Sequence, residues 1–353
     1  MRRVCLGTAI TAAVFAVCAS VGSAQDGPYK VLKAAKVGGE GGFDYVFADA
    51  AGRRLYIPRT GNPARVTVFD LDTQASVGEI ANTNARGAAV DPKSGHGFAS
   101  SKPVAMFDTK TLALIKTIDV DGGPDGILFD PFNQRVWIFS HGAPNATVIN
   151  TVDGTVVGTV DLGGAPEQAV TDGKGHLYVD LEDKDKIAVV DAAALKATGT
   201  FDLAGKGGGP GGLAFDAKNH VLFATCHDPA VMVILNSDTG KILDTLPIGQ
   251  GTDGATFNPA TMEAFSSNSD GTLTIVKENS PTSFVVEQNL KTMTRAKTLS
   301  LDSKTGHILL IAAETAPAPA PPAGTPPPEP GRGGRGRGGA MVPGSFTILV
   351  VGK

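Results

Sequence analysis

From Gly41 onward the chain repeats one pattern: a small-residue turn, a polar residue, then a short apolar run closed by Asp or Asn. The copies read GGFDYVFAD (41–49), TNARGAAVD (83–91), GGPDGILFD (122–130), GAPEQAVTD (164–172), GGPGGLAFD (208–216), GQGTDGATFN (249–258) and TRAKTLSLD (294–302). Their closing residues, Asp49, Asp91, Asp130, Asp172, Asp216, Asn258 and Asp302, are separated by 42, 39, 42, 44, 42 and 44 positions. Seven residues after each stands a large apolar side chain, Tyr56, Phe98, Trp137, Phe223, Phe265 and Leu309, with Tyr178 one residue early. A third run follows in each unit, such as VTVFD (66–70), VAMFD (104–108) or VMVILN (231–236). A fourth, such as ALIKTIDV (113–120) or KILDTLPI (241–248), completes most of them. Apolar runs this short, bounded by turn residues, read as strands. Four per period of about 42 residues predict the blades of a β-propeller. One blade leaves both faces of its sheet uncovered, so the blades must pack in a ring.

The prediction is therefore an all-β fold: a seven-bladed β-propeller of four-stranded antiparallel blades over residues 29–353. The last unit ends at FTILVVGK without a fourth strand, and YKVLKAAKV (29–37) precedes the first unit as a strand without a blade. The economical closure has this N-terminal strand complete blade seven, which hides edges that an open ring would expose. The Asp that closes each first strand suits a turn, where its carboxylate caps nearby backbone N–H groups.

Blade cores such as RRLYIPRTGNPARVTVFDLDTQASVGEI (53–80) and TVINTVDGTVVGTVDLGGAPEQAV (147–170) resemble the YncE-like, YVTN-repeat branch of seven-bladed propellers. The likeness covers roughly residues 29–353 apart from one insertion. It implies the fold and an exported or surface location, since members are typically secreted or surface proteins, mostly without an assigned activity. One bacterial periplasmic member is associated with DNA binding, and no motif in this sequence carries that over. The fold also hosts lyases, lactonases, sugar-binding modules and scaffolds, so it cannot by itself name a chemistry.

The first residues, MRRVCLGTAITAAVFAVCASVGSAQ, combine Arg2 and Arg3, an apolar stretch to about Ala19, and small residues at Gly22 and Ala24. This reads as a cleaved signal peptide over residues 1–24, too short for a membrane span, and predicts a periplasmic or secreted protein without a span in its mature form. With Arg2 and Arg3 removed, 29 basic residues face 35 acidic ones, a balance of −6. Such a chain has no bulk-charge reason to bind nucleic acid. Cys5 and Cys18 leave with the signal, so Cys226, at the end of HVLFATC, has no intramolecular disulfide partner and reads as a small buried hydrophobe.

The candidate site follows from propeller geometry. The loop before strand one and the loop between strands two and three open on the same face. The polar position five before each closing residue should ring the channel mouth: Asp44, Arg86, Asp125, Glu167, Gly211, Asp253 and Lys297. A second ring, four residues after the large apolar residue of strand two, comprises Thr60, Lys102, His141, Glu182, His227, Ser269 and Ala313, with Arg59 and Glu314 adjacent. The acids supply oxygen donors for a cation, and His141 and His227 supply bases or ligands. The alternative is a solvated girdle of salt bridges that only holds the mouth together. His96, His176, His220 and His307 fall in or beside turns of the opposite face and carry no predicted role.

Other motifs add little. Asp119, Asp121 and Asp125 are spaced faintly like a calcium loop but lack the later bidentate acid, and AGKGGGPGG (204–212) has its Lys before the glycines and no helix after, unlike a phosphate loop. No haem-attachment, nucleophile-elbow or zinc spacing is present. No cofactor is called for, and a divalent cation such as calcium is the one the acidic ring could take.

TAPAPAPPAGTPPPEPGRGGRGRGGAMVPG (315–344) interrupts blade seven between strands two and three. Its Pro and Gly content forbids a packed core and predicts a disordered arm on the mouth's face, with Arg332, Arg335 and Arg337 making it basic. The leading expectation is an exported, monomeric propeller that binds a small polar ligand or an envelope protein through the mouth. The rival is a metal-assisted, lactonase-like hydrolase or lyase using the acidic ring and a His base. A third reading is nucleic-acid binding through the Arg-Gly arm.

Overall fold

The computed structural model describes residues 26–317 and 340–353. The signal-peptide reading of 1–24, most of the 315–344 insertion, and Arg332, Arg335 and Arg337 lie outside the described residues. The described chain forms seven four-stranded antiparallel sheets. Their innermost strands are Phe47–Asp49, Ala88–Asp91, Pro124–Asp130, Pro166–Thr171, Gly208–Asp216, Thr252–Asn258 and Leu299–Asp302. Blades one to six take their strands in chain order. Blade seven is built from Leu299–Asp302, His307–Ala312 and Thr347–Gly352, with the N-terminal strand Lys30–Lys36 outermost.

That N-terminal strand pairs antiparallel with Thr347–Gly352, from Lys30 opposite Gly352 to Lys36 opposite Thr347. Tyr29 extends the tie to blade six. Its backbone N–H donates to Gln288 Oε1 at 2.9 Å and its carbonyl accepts from Gln288 Nε2 at 3.0 Å. Its ring stands edge-on to Phe265, and its hydroxyl and the Lys353 ammonium both reach the fully buried Glu263 carboxylate.

Alternation of side chains along each second strand explains why a blade needs two neighbours. In blade three, Trp137 and Phe139 pack with Leu177, Val179 and Leu181 of blade four. Val136 and Ile138 on the other face pack with Ala89, Phe98 and Met106 of blade two. The large residues recognised in the repeat all face the following blade, from Tyr56 against blade two to Leu309 against blade one. Tyr178 keeps the common register, opposite Val170 as Trp137 is opposite Leu128. Its offset in sequence comes from the turn Gly173–Gly175, one residue shorter than its counterparts.

The closing acids cap their turns. Asp91 Oδ1 accepts from Lys93 N at 2.9 Å, Asp172 from Lys174 N at 2.7 Å, and Asp216 from Lys218 N at 2.9 Å. Several also join blades: Asp91 Oδ2 accepts from Thr151 Oγ1 at 2.7 Å, and Arg53 donates to Asp302 at 2.7 Å. The insertion leaves blade seven as a paired stem, with Thr315 bridged to Met341. Cys226 is buried, and burial pushes its thiol pKa up. No helix among the described residues is long and apolar enough to cross a membrane.

Candidate binding site at the channel mouth

The first residues of the inner strands, with the loops before them in blades one, two and seven, bring the first predicted ring together. Arg86 donates to Asp44 at 2.9 Å, and Lys297 lies 3.7 Å from Asp44 and forms an ion pair with Asp253. On the other side, His141 Nδ1 meets Glu167 at 3.0 Å. Its Nε2 lies 3.5 Å from Glu182, and His227 Nε2 lies 3.9 Å from the same carboxylate. Glu182 stands in a short 3-10 turn, Glu182–Lys184, and so links blades three, four and five. At blade five the ring position is Gly211, where an added Cβ would come within 2.7 Å of His227 Nε2. The missing side chain lets that imidazole lean over the rim.

Other members of the second ring serve the frame. Lys102 donates to the Gly122 carbonyl of the next blade. Arg59 is 1% exposed, donates to the Glu40 carbonyl at 2.8 Å and lies 3.4 Å over the Phe346 ring. Thr60 pairs with Gly42, Ser269 Oγ donates to the Gln250 carbonyl, Ala313 is buried, and the Glu314 N–H donates to Ser345 Oγ.

Three features of the site were not anticipated. Tyr45 crosses the mouth from blade one and donates its hydroxyl to Glu167 Oε1 of blade four at 2.5 Å. Below it Gln168 spans from blade four to blades five and six. Its Oε1 accepts from Leu213 N and Ala255 N, both at 3.0 Å, and its Nε2 donates to the Ala255 carbonyl at 2.9 Å. The mouth is therefore a floored basin. The signal was present in the position after each ring residue: Gly87, Gly126, Gly212 and Gly254 in four copies, Tyr45, Gln168 and Thr298 in the others. At Gly126 a Cβ would sit 2.5 Å from the Glu167 carbonyl oxygen, so the inner strands converge too closely for a side chain there. The third feature is a set of hydroxyls that grip the backbone of the ring. Ser100 donates to the Asp125 carbonyl at 2.6 Å, Ser267 to that of Lys297 at 2.6 Å, and Thr298 to that of Asp44 at 2.8 Å.

Crowding of carboxyl groups sets the electrostatics. Burial, with the charges of Glu167 and Asp44, raises Asp125 to about 7 against the pull of Arg86 and His141. Burial raises Asp253 to about 6, opposed by Lys297. The hydrogen bond with Glu167, followed by the charges of Glu167, Glu182 and Asp125, raises His141 to about 9 although burial works against it. Burial opposes ionisation of Glu167 too, yet the bonds from His141 and Tyr45 hold its pKa below the ordinary value. At neutral pH the cluster thus stores a proton on His141 and a fractional one on Asp125. Among the described residues, donor atoms of Asp125, His141 and Glu167 lie within 4.8 Å of one another, the set that could hold a metal ion.

No family model matches the chain, and no curated protein matches it. It is similar to a solved chain of the "Crystal Structure of Mitotic Checkpoint Complex", with a TM-score of 0.67, 11% identity, and 88% of this chain and 95% of that one covered. At that identity the likeness shows the propeller fold alone. Since 1622 solved chains match, the fold is too widely used to select an activity.

Proposed function

We propose that the protein is an exported binding propeller whose mouth takes a small polar ligand through a positively charged group. The fold is compatible with a protein-interaction module, and the YVTN-like blade cores and the signal-like residues 1–24 support the exported setting. One observation carries the choice of ligand. The Asp125 carboxyl accepts no hydrogen bond and forms no ion pair among the described residues, while Glu167 and His141 close around it. Burial and the charges of Glu167 and Asp44 raise Asp125 to about 7, so a cation seated there offsets that crowding and displaces the proton. The floor of Tyr45 and Gln168 favours binding over passage.

Calorimetry with calcium, manganese or zinc chloride and with simple primary amines tests this. Binding near pH 7 should release a proton, so the heat should vary with the ionisation enthalpy of the buffer. Asp125→Asn should weaken binding and reduce that dependence, leaving for the metals only the proton that His141 sheds on coordination. If no cation binds, or if binding is indifferent to Asp125→Asn, the reading fails.

The same triad supports a second reading, in which a divalent ion held by Asp125, His141 and Glu167 activates water for hydrolysis. It requires metal-stimulated turnover of a lactone probe that His141→Ala removes. The third reading, nucleic-acid binding by residues 331–339, requires salt-dependent affinity that disappears on their deletion.

A further inference from the structure

On the face opposite the mouth, a cleft of about 440 Å3 opens between blades four and five, within the size range of small-molecule sites. Its apolar wall is aromatic. The Tyr178 ring lies 6.3 Å from Phe201 at an interplanar angle of 24° and 5.2 Å from Phe215 at 59°. Gly199 forms part of the wall, and an added Cβ there would meet nothing within 4 Å, so the slot is open beside these rings.

The polar lining is incompletely satisfied. His176 Nδ1 is bound to Asp172 at 2.9 Å and His220 Nδ1 to Asp238 at 2.8 Å. A carboxylate on Nδ1 orients each ring and leaves Nε2 without a partner among the described residues. Ser237 is 2% exposed, yet its hydroxyl has no hydrogen-bond partner. The Tyr178 hydroxyl approaches it without forming a well-aligned bond. Lys174, on the shortened turn of blade four, lines the same cleft and makes no ion pair among the described residues.

We infer that this cleft is a second ligand site, for a small aromatic carboxylate. The ring enters beside Tyr178, Phe201 and Phe215 in offset or edge-on contact. The carboxylate pairs with the Lys174 ammonium, and a ring hydroxyl hydrogen-bonds with an imidazole Nε2. The site is independent of the mouth, which lies across the ring.

The test uses the full chain and 4-hydroxybenzoate as probe, followed by amide chemical shifts and calorimetry. One saturable site is expected, with shifts at Tyr178, Phe201 and His220. Lys174→Ala should weaken it about tenfold through loss of a charged hydrogen bond. Gly199→Trp, which fills the slot from an exposed position, should abolish it, and Asp125→Asn at the mouth should leave it unchanged. Absence of saturable shifts at those residues overturns the inference. So does binding that survives Gly199→Trp or disappears with Asp125→Asn.

Discussion

Replacing Gln168 with Met preserves the length and unbranched shape of the side chain and removes its amide. Three hydrogen bonds of 2.9 to 3.0 Å disappear, leaving the N–H groups of Leu213 and Ala255 and the Ala255 carbonyl without partners. Leu213 is fully buried and Ala255 is 2% exposed, so each stranded group costs about 1–3 kcal/mol. A cavity of about 240 Å3 lined by Gln168, Leu213 and Ala255 adjoins them and admits water, which re-satisfies part of the set. The expected net loss is about 2–4 kcal/mol, which in a domain of this size lowers the melting temperature by about 3–6 °C. Scanning calorimetry measures the shift, and hydrogen exchange at the Leu213 and Ala255 amides measures its local origin. These amides should change from protected to fast-exchanging while those of blade two stay slow. A melting temperature within about 1 °C of the parent, with unchanged exchange at both amides, would refute a clasp across the channel.

Between about pH 4 and 7 the folded chain keeps a proton on Asp125 that the unfolded chain has released, so this group's contribution to stability falls as pH rises. His141 has the same sign. Its stabilisation is complete below 6.5 and is lost as pH rises through about 9, so His141→Gln should flatten the decline of melting temperature over that interval. Trp137→Ala empties a fully buried position between blades three and four and should cost about 3–5 kcal/mol by urea unfolding followed by circular dichroism. Gly126→Ala places a methyl 2.5 Å from the Glu167 carbonyl and should cost about 1–3 kcal/mol. It should also move the Asp125 titration, read from side-chain carbon shifts. Removing residues 26–36 exposes Thr347–Gly352 as an edge strand and should cause concentration-dependent association, seen by light scattering; a stable monomer would count against strand closure.

Much of the mouth was legible because a repeat assigns equivalent positions to equivalent places. Asp44, Arg86, Asp253 and Lys297 were expected on one ring, and they form one chain of ion pairs. His141, His227 and Glu182 were expected on the second, and they meet. Spacing could not say that Arg59 would turn away onto Phe346 or that Lys102 would reach a backbone carbonyl, because neighbouring loops decide where a long side chain goes.

By itself the sequence determined the blades, their number, the turn caps and the faces that pack together. Those properties depend on period-two alternation and on turn residues within a few positions of one another. The diameter of the channel belongs to the closed ring, and it decided the rest. Tyr45 and Glu167, 122 residues apart, and Gln168 and Ala255, 87 apart, meet because seven blades bring their inner strands within one side chain's reach. The cleft of blades four and five is likewise a property of two sheets packed together. No local pattern records that Ser237 would be buried there without a partner.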